Sequence, residues 1–160
     1  MNKIRTILLL LSVLLAFSLS ALSQVYSGEF AVIVNPNNPV QNISSAQLRK
    51  IVLGDEKFWA GRVPVSLILQ NERSIELAFV LGHVVNMSQG DYKDHWSTLI
   101  FRGVISSEPV TVPSNGLASG LVQSQVGAVC IMRMDNVPKG SVKVLRVDGK
   151  LPGEDGYPLR

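Results

Sequence analysis

Two short polar runs in this chain contain the residue types that hold a small anion. The first run is Gln70-Asn71-Glu72-Arg73-Ser74, and the second is Pro113-Ser114-Asn115-Gly116. Hydroxyls, side-chain amides, a guanidinium and free backbone amides at a helix start are the donors that proteins offer to oxyanions. Brought together, the runs would form a site for a small oxyanion. Its candidate ligand-binding residues are Asn71, Arg73, Ser74, Ser114, Asn115 and Gly116.

Each polar run lies between a predicted strand and a predicted helix. The strands are the apolar segments Val63 to Leu69 and Val110 to Val112, and Asn71 and Ser114 are placed to cap the helices that follow. Ligand sites of parallel α/β sheets lie at the carboxyl ends of the strands, where helix N-termini point free amides at an anion. A structural alternative stays open, because serine and asparagine are also ordinary caps.

The stretch before the first polar run specifies a strand, a turn and a short helix. Phe30 to Val34 is too continuously apolar for a half-exposed strand, which predicts a strand covered on both faces. Ser44 and Gln47 have the spacing of a capping box, and Leu48 is expected to face the core. Gly54 suits the left-handed conformation that ends a helix. Strand, helix and second strand in this order predict a βαβ unit.

The remainder of the chain continues the alternation of strands and helices. Ser88 predicts the start of a helix that ends near Arg102. Gly127 to Met132 is a fully apolar strand, Val142 to Val147 alternates like an edge strand, and the glycine- and proline-rich residues after Asp148 predict an irregular tail. The order predicts an α/β fold: a single three-layer domain with a mostly parallel sheet.

Short motifs spread over the chain after residue 28 occur in the same order in one protein family. They are VNPNNPV, the SxxQL helix that ends in LG, Trp59 followed by Gly61, FRG, SNG, GAVCI, VKVLRVDG and YPL. With these motifs the chain resembles the phosphate-binding proteins of ABC importers, within the type 2 periplasmic binding proteins. The resemblance implies the fold of one lobe of that two-lobe family, a non-catalytic solute-binding role, and an ABC permease as a partner.

The resemblance both supports and weakens the predicted anion site. Phosphate-binding members of the family carry a Ser-Gly-Thr-Arg run at the first position, where this chain has Arg73-Ser74-Ile75-Glu76. The threonine is missing and glutamate replaces the arginine, so Glu76 and Glu72 would repel an oxyanion. Two hypotheses stay open. The chain is an exported solute-binding-like protein that binds phosphate or another small oxyanion weakly, alone or as a homodimer. Alternatively, it is an envelope interaction or sensory module that has lost ligand binding.

The first residues have the pattern of a secretory signal. Lys3 and Arg5 precede an apolar run from Ile7 to Leu19, and Ala21-Leu22-Ser23 provides the small residues that a signal peptidase requires. We predict a signal peptide over residues 1–23 and a periplasmic-binding-protein-like domain over 24–160. The mature chain would then be periplasmic or secreted, with no stable membrane insertion. An uncleaved anchor is the alternative, although the run is shorter than the ~20 residues of a bilayer span.

Composition argues against several other classes of function. Without Lys3 and Arg5 the chain has 13 basic and 12 acidic residues, which gives no surface for nucleic acid. Cys130 lies in an apolar run and is expected to be a buried, unreactive thiol. His83 and His95 lack metal-ligand spacing, and no nucleophile elbow or Walker-type loop is present. We therefore expect no metal, no cofactor and no enzymatic activity.

Overall fold

The computed structural model describes residues 28–160. The predicted signal peptide, residues 1–23, lies outside the described residues, so its cleavage and the domain start at residue 24 stay predictions.

Five strands form the central sheet in the order β4-β3-β5-β1-β6. They are β1 (Phe30–Val34), β3 (Ser66–Gln70), β4 (Val110–Val112), β5 (Ala128–Arg133) and β6 (Lys143–Val144). Two further short strands, β2 (Asn42–Ile43) and β7 (Arg146–Val147), pair in parallel beside it. The segment predicted as one edge strand over 142–147 is therefore divided between two sheets.

The strand directions confirm a mostly parallel sheet and correct one of its predicted connections. β3 is parallel to β4 and to β5, whereas β1 is antiparallel to β5 and to β6, so four of the five strands run the same way. The predicted βαβ unit over the first two sheet strands is wrong, because β1 runs opposite to β3 and is separated from it by β5. All of β1 is fully buried, as predicted, but burial on both faces does not determine strand direction.

Four α-helices cover the two faces of the sheet. They are α1 (Ser45–Val52), α2 (Ile75–Phe79), α3 (Gln89–Phe101) and α4 (Asn115–Ser124), and α2 continues as a π-helix over Val80–Val85. Alternate strand residues pack in opposite directions, which separates the core into two clusters. One holds Leu69 with Leu48, Phe79 and Trp96 from the first three helices, and the other holds Ile68 and Cys130 with Ala118 and Val122 from α4.

Helix starts are set by the serines that the sequence indicates, with one correction. Ser44, Ser88 and Ser114 are the N-caps of α1, α3 and α4, and each accepts a hydrogen bond from the backbone amide three residues on. Asn71 is not the cap of α2. Ser74 is, because its hydroxyl accepts from the amide of Leu77, and the helix starts three residues later than predicted.

The C-terminal tail is irregular, as predicted, but it is packed into the core. Leu159 O accepts a 2.9 Å hydrogen bond from the backbone amide of Phe30, and the Tyr157 hydroxyl donates to Phe30 O at 2.8 Å. Tyr157 and Leu159 are each 3% exposed. The tail therefore covers the start of β1, which glycine and proline content alone does not indicate.

Candidate functional site

The two polar runs meet at one edge of the sheet. They follow the carboxyl ends of the adjacent parallel strands β3 and β4. Asn71 Nδ2 donates to Pro113 O at 3.1 Å, and Gln70 Nε2 donates to Asn115 Oδ1 at 3.1 Å. The starts of α2 and α4 are thereby held side by side.

Glu76 lies at this edge, as the sequence indicated, but its burial was not predicted. Its side chain is buried, at 4% exposure, and Glu76 Oε1 accepts hydrogen bonds from Asn115 Nδ2 at 2.9 Å and from Asn136 Nδ2 at 3.2 Å. Asn136 comes from the turn after β5, the third parallel strand. Ligand sites of parallel sheets lie at the carboxyl ends of the strands, and this holds for β5 as well as for β3 and β4. Asn136 could therefore have been found from the sequence.

Most candidate donors already have partners within the protein. Ser74 Oγ and Ser114 Oγ accept from the amides of Leu77 and Leu117, at 3.1 and 3.3 Å. A serine hydroxyl that accepts a bond keeps its own hydrogen for a ligand. Asn115 is different, because its oxygen and its amide nitrogen are both engaged.

Arg73, Ser114 and Gly116 are the exposed residues among the six candidates. The backbone amide of Arg73 donates to Asn71 Oδ1 at 3.0 Å, which forms the turn before α2. The first-turn amides of α4 have no acceptor within the helix, and that of Leu117 donates to Ser114 Oγ. The donors that remain for an oxyanion are therefore the Arg73 guanidinium, the two serine hydroxyls and the amides of Asn115 and Gly116.

Charge at this edge is mixed. Glu72 forms an exposed ion pair with Lys93, which lowers the pKa of Glu72 mainly through their hydrogen bond and attraction, with a smaller contribution from Arg73. The same pair raises the pKa of Lys93. Arg73, the one cation among the six candidate residues, has no ion pair with another described side chain.

Cys130 lies beneath the network and confirms the prediction of a buried thiol. Gln70 Nε2 approaches Cys130 Sγ at 3.4 Å and donates to Ile131 O at 3.1 Å. Burial raises the pKa of the Cys130 thiol to about 12. Such a thiol carries almost no thiolate at neutral pH and is a poor nucleophile.

The two histidines have structural contacts. His83 stacks on Phe79 with ring centres 4.7 Å apart, and its Nε2 lies 3.0 Å from Pro158 O. His95 Nε2 lies 2.8 Å from Leu53 O, and its ring meets Trp96 edge-on. Within residues 28–160 no three histidine, cysteine, aspartate or glutamate side chains are grouped as metal ligands. No helix in that part of the chain has the length and apolarity of a membrane span.

Solved structures similar to this chain include proteins named for phosphate binding or transport. An ABC-type phosphate transport receptor from Vibrio cholerae superposes with a TM-score of 0.61 at 19% identity, and the match covers 78% of this chain and 48% of the receptor. PstS from Borrelia burgdorferi gives 0.66 at 14% identity, covering 82% and 54%. A phosphate-binding protein from Stenotrophomonas maltophilia gives 0.58 at 17% identity, covering 78% and 40%.

The comparisons show that this chain has a fold similar to part of each of these proteins, in keeping with the single lobe that the sequence predicts. The chain spans about half the length of the proteins that it matches. At these identities the likeness is one of fold, and at that level it confirms the resemblance to phosphate-binding proteins of ABC transporters. Neither the protein-family models nor the curated proteins contain a match to this chain.

Proposed function

We propose that this chain is a non-catalytic, solute-binding-like protein that binds phosphate or another small oxyanion weakly. The observation that carries the proposal is the junction of the two polar runs through the Asn71–Pro113 and Gln70–Asn115 hydrogen bonds. It places the starts of α2 and α4, two serine hydroxyls and the exposed Arg73 at one edge. The structural neighbours support phosphate as the ligand to test first, since their names describe phosphate binding or transport.

Glu76 explains why we propose weak rather than tight binding. Its carboxyl is held at the same edge by Asn115 and Asn136, so an incoming anion meets a fixed acceptor and loses the Asn115 amide as a donor. A single lobe also leaves one side of the anion in water, where each hydrogen bond competes with solvent. We expect a dissociation constant no tighter than about 10⁻⁴ M for the monomer.

The cellular setting that we propose follows from the sequence and from the class of fold. The chain would be exported by the signal over residues 1–23, act as a 24–160 domain in the periplasm or outside the cell, and meet an ABC permease. A homodimer is a further proposal, because a second copy could supply the half of an anion shell that one lobe lacks. In either form, Ser114 and Arg73 are the side chains expected to contact the ligand.

A second function, an envelope interaction or sensory module, is favoured by a different observation. Three large apolar side chains near the proposed site are exposed: Ile75 at 38%, Leu117 at 55% and Met134 at 42%. They lie at the starts of α2 and α4 and directly after β5, around the buried Glu76 network. Apolar residues around a site whose polar groups are internally paired suit a protein partner.

Thermal unfolding and calorimetry distinguish the two functions. The purified protein is heated with phosphate, sulfate, molybdate or small carboxylates, because a ligand that binds only the folded state raises the midpoint. Arg73→Ala with Ser114→Ala should remove any shift, whereas Arg102→Ala, an exposed arginine at the end of α3, should leave it. If no anion shifts the midpoint and an envelope protein is captured only while Leu117 is intact, the interaction function is correct.

A further inference from the structure

A cavity lies on the face of the sheet opposite to α4. It has a volume of about 290 Å³ and is bounded by α2, α3 and the β3–β4 edge. Leu69, Leu77, Leu81, Tyr92 and Trp96 form its apolar wall. The volume lies at the lower end of the roughly 300–1,000 Å³ range of ligand pockets, so the cavity suits a small molecule.

The wall residues show where the core is incompletely closed. Each is 4–7% exposed, whereas the β1 residues in the same core are fully buried. An occupant with an apolar body would cover this remaining surface, and removing apolar surface from water is favourable. The aromatic rings of Tyr92 and Trp96 stand nearly perpendicular, at 67°, with centres 6.2 Å apart.

Charged residues at the cavity mouth are more acidic than basic. The lining includes the carboxylates of Glu72 and Glu108 and the ammonium of Lys93. Glu72 and Lys93 pair with one another, with side chains 57% and 61% exposed. Glu108 and Lys93 attract one another only at longer range, and Arg73, which does not line the cavity, attracts Glu72 in the same way. Among the described residues Glu108 therefore has no ion pair of its own.

We propose that this cavity binds a small organic cation that has an apolar or aromatic body, placing the body against Tyr92 and Trp96 and the ammonium toward Glu108. Covering the apolar wall is favourable, and the Glu108 carboxylate attracts an ammonium. The apolar wall lies on the opposite face of the sheet from α4, and Gln70 and Glu72 of the first polar run also line the cavity.

The test uses three probes that share a phenyl group and differ in charge: phenethylamine, 2-phenylethanol and phenylacetate. Calorimetry on the unmodified protein gives the affinities. Fluorescence of the Trp59→Phe variant, in which Trp96 is the only tryptophan, reports binding at the wall. We expect saturable signals with phenethylamine, at least roughly fivefold tighter than with phenylacetate. If that variant fails to fold, because Trp59 Nε1 loses its hydrogen bond to Gly127 O, calorimetry alone decides.

Neighbouring residues on β4 provide a matched pair of variants. Thr111→Phe fills the cavity from its lining, whereas Val110→Phe adds the same ring to the next residue, which lines a different cleft. Thr111→Phe should weaken phenethylamine binding at least about tenfold, and Val110→Phe should not change it. Absence of saturable binding up to about 10 mM, equal affinity for phenylacetate, or binding that survives Thr111→Phe would overturn the proposal.

Discussion

Asn115 Nδ2 donates a 2.9 Å hydrogen bond to Glu76 Oε1 and thereby joins the first turn of α4 to the first turn of α2. The bond uses a hydrogen of the Asn115 side-chain amide, a group that would otherwise be available to an anion. Glu76 is buried, so this acceptor is part of the folded structure rather than a mobile surface group. The predicted site and the internal network therefore compete for the same residue.

Removal of the Glu76 carboxyl should destabilise the protein. In Glu76→Ala the amides of half-buried Asn115 and exposed Asn136 lose their shared acceptor, and a hydrogen bond to a charged group contributes about 1.5–3 kcal/mol. Glu76→Gln is the control, because the glutamine oxygen still accepts, and its free energy of unfolding should fall by less than about 1 kcal/mol. Urea unfolding measures both, and equal stability of the alanine variant and the unmodified protein would contradict the network.

Alanine substitutions at Gly54 and Gly61 test how the end of α1 is packed. Both have left-handed backbone, with φ of 76° and 74°, so alanine at either position carries conformational strain of about 1–2 kcal/mol. At Gly54 a Cβ would also lie 2.9 Å from the Trp96 ring, whereas at Gly61 nothing lies within 4 Å. Gly54→Ala should therefore cost about 1–3 kcal/mol more than Gly61→Ala, as overpacking typically does. Equal losses in urea unfolding would show that Trp96 moves freely.

Local signals in the sequence predicted the elements well. Ser44, Ser88 and Ser114 each cap a helix where the sequence places a cap, because the hydrogen bond spans only three residues. Gly54 ends α1 in the left-handed conformation for a similarly local reason. The failed cap, Asn71, has the same residue chemistry, but its side chain closes a turn and contacts Pro113, 42 residues away.

Long-range relationships were not predictable from the sequence. The apolar pattern of Phe30 to Val34 indicated burial on both faces, yet it contains nothing that sets β1 antiparallel to β5. Glu76 is usually an exposed residue type, and its two partners lie 39 and 60 residues away in the sequence. Each failure involves a contact made across the sheet edge rather than within one element.

Cys130 should react slowly with alkylating reagents in the folded protein. Burial raises its pKa to about 12, so iodoacetamide at pH 8 should modify it at least roughly a hundredfold more slowly than in urea. The unfolded thiol ionises near 9.0 and the folded thiol near 12, so this group favours unfolding as the pH rises between those values. Rapid alkylation without denaturant would show that the strand β5 opens readily.

Export is tested by the mass of the protein recovered from cells. We expect a chain that begins near Gln24 in a periplasmic or secreted fraction, because a basic start, an apolar run and Ala-Leu-Ser occur in that order. Ala21→Arg, which places a charge in the recognition sequence, should leave the chain uncleaved. An intact Met1 end in the membrane fraction would support an anchor instead.

Calorimetric titration of phosphate into monomeric protein, with Glu76→Gln measured alongside, tests the central claim that the carboxylate of Glu76 weakens an anion site. The predicted dissociation constant is no tighter than about 10⁻⁴ M for the unmodified protein. Glu76→Gln removes the fixed charge and should tighten it at least roughly tenfold. A micromolar constant for the unmodified monomer, or no change in Glu76→Gln, would contradict the claim.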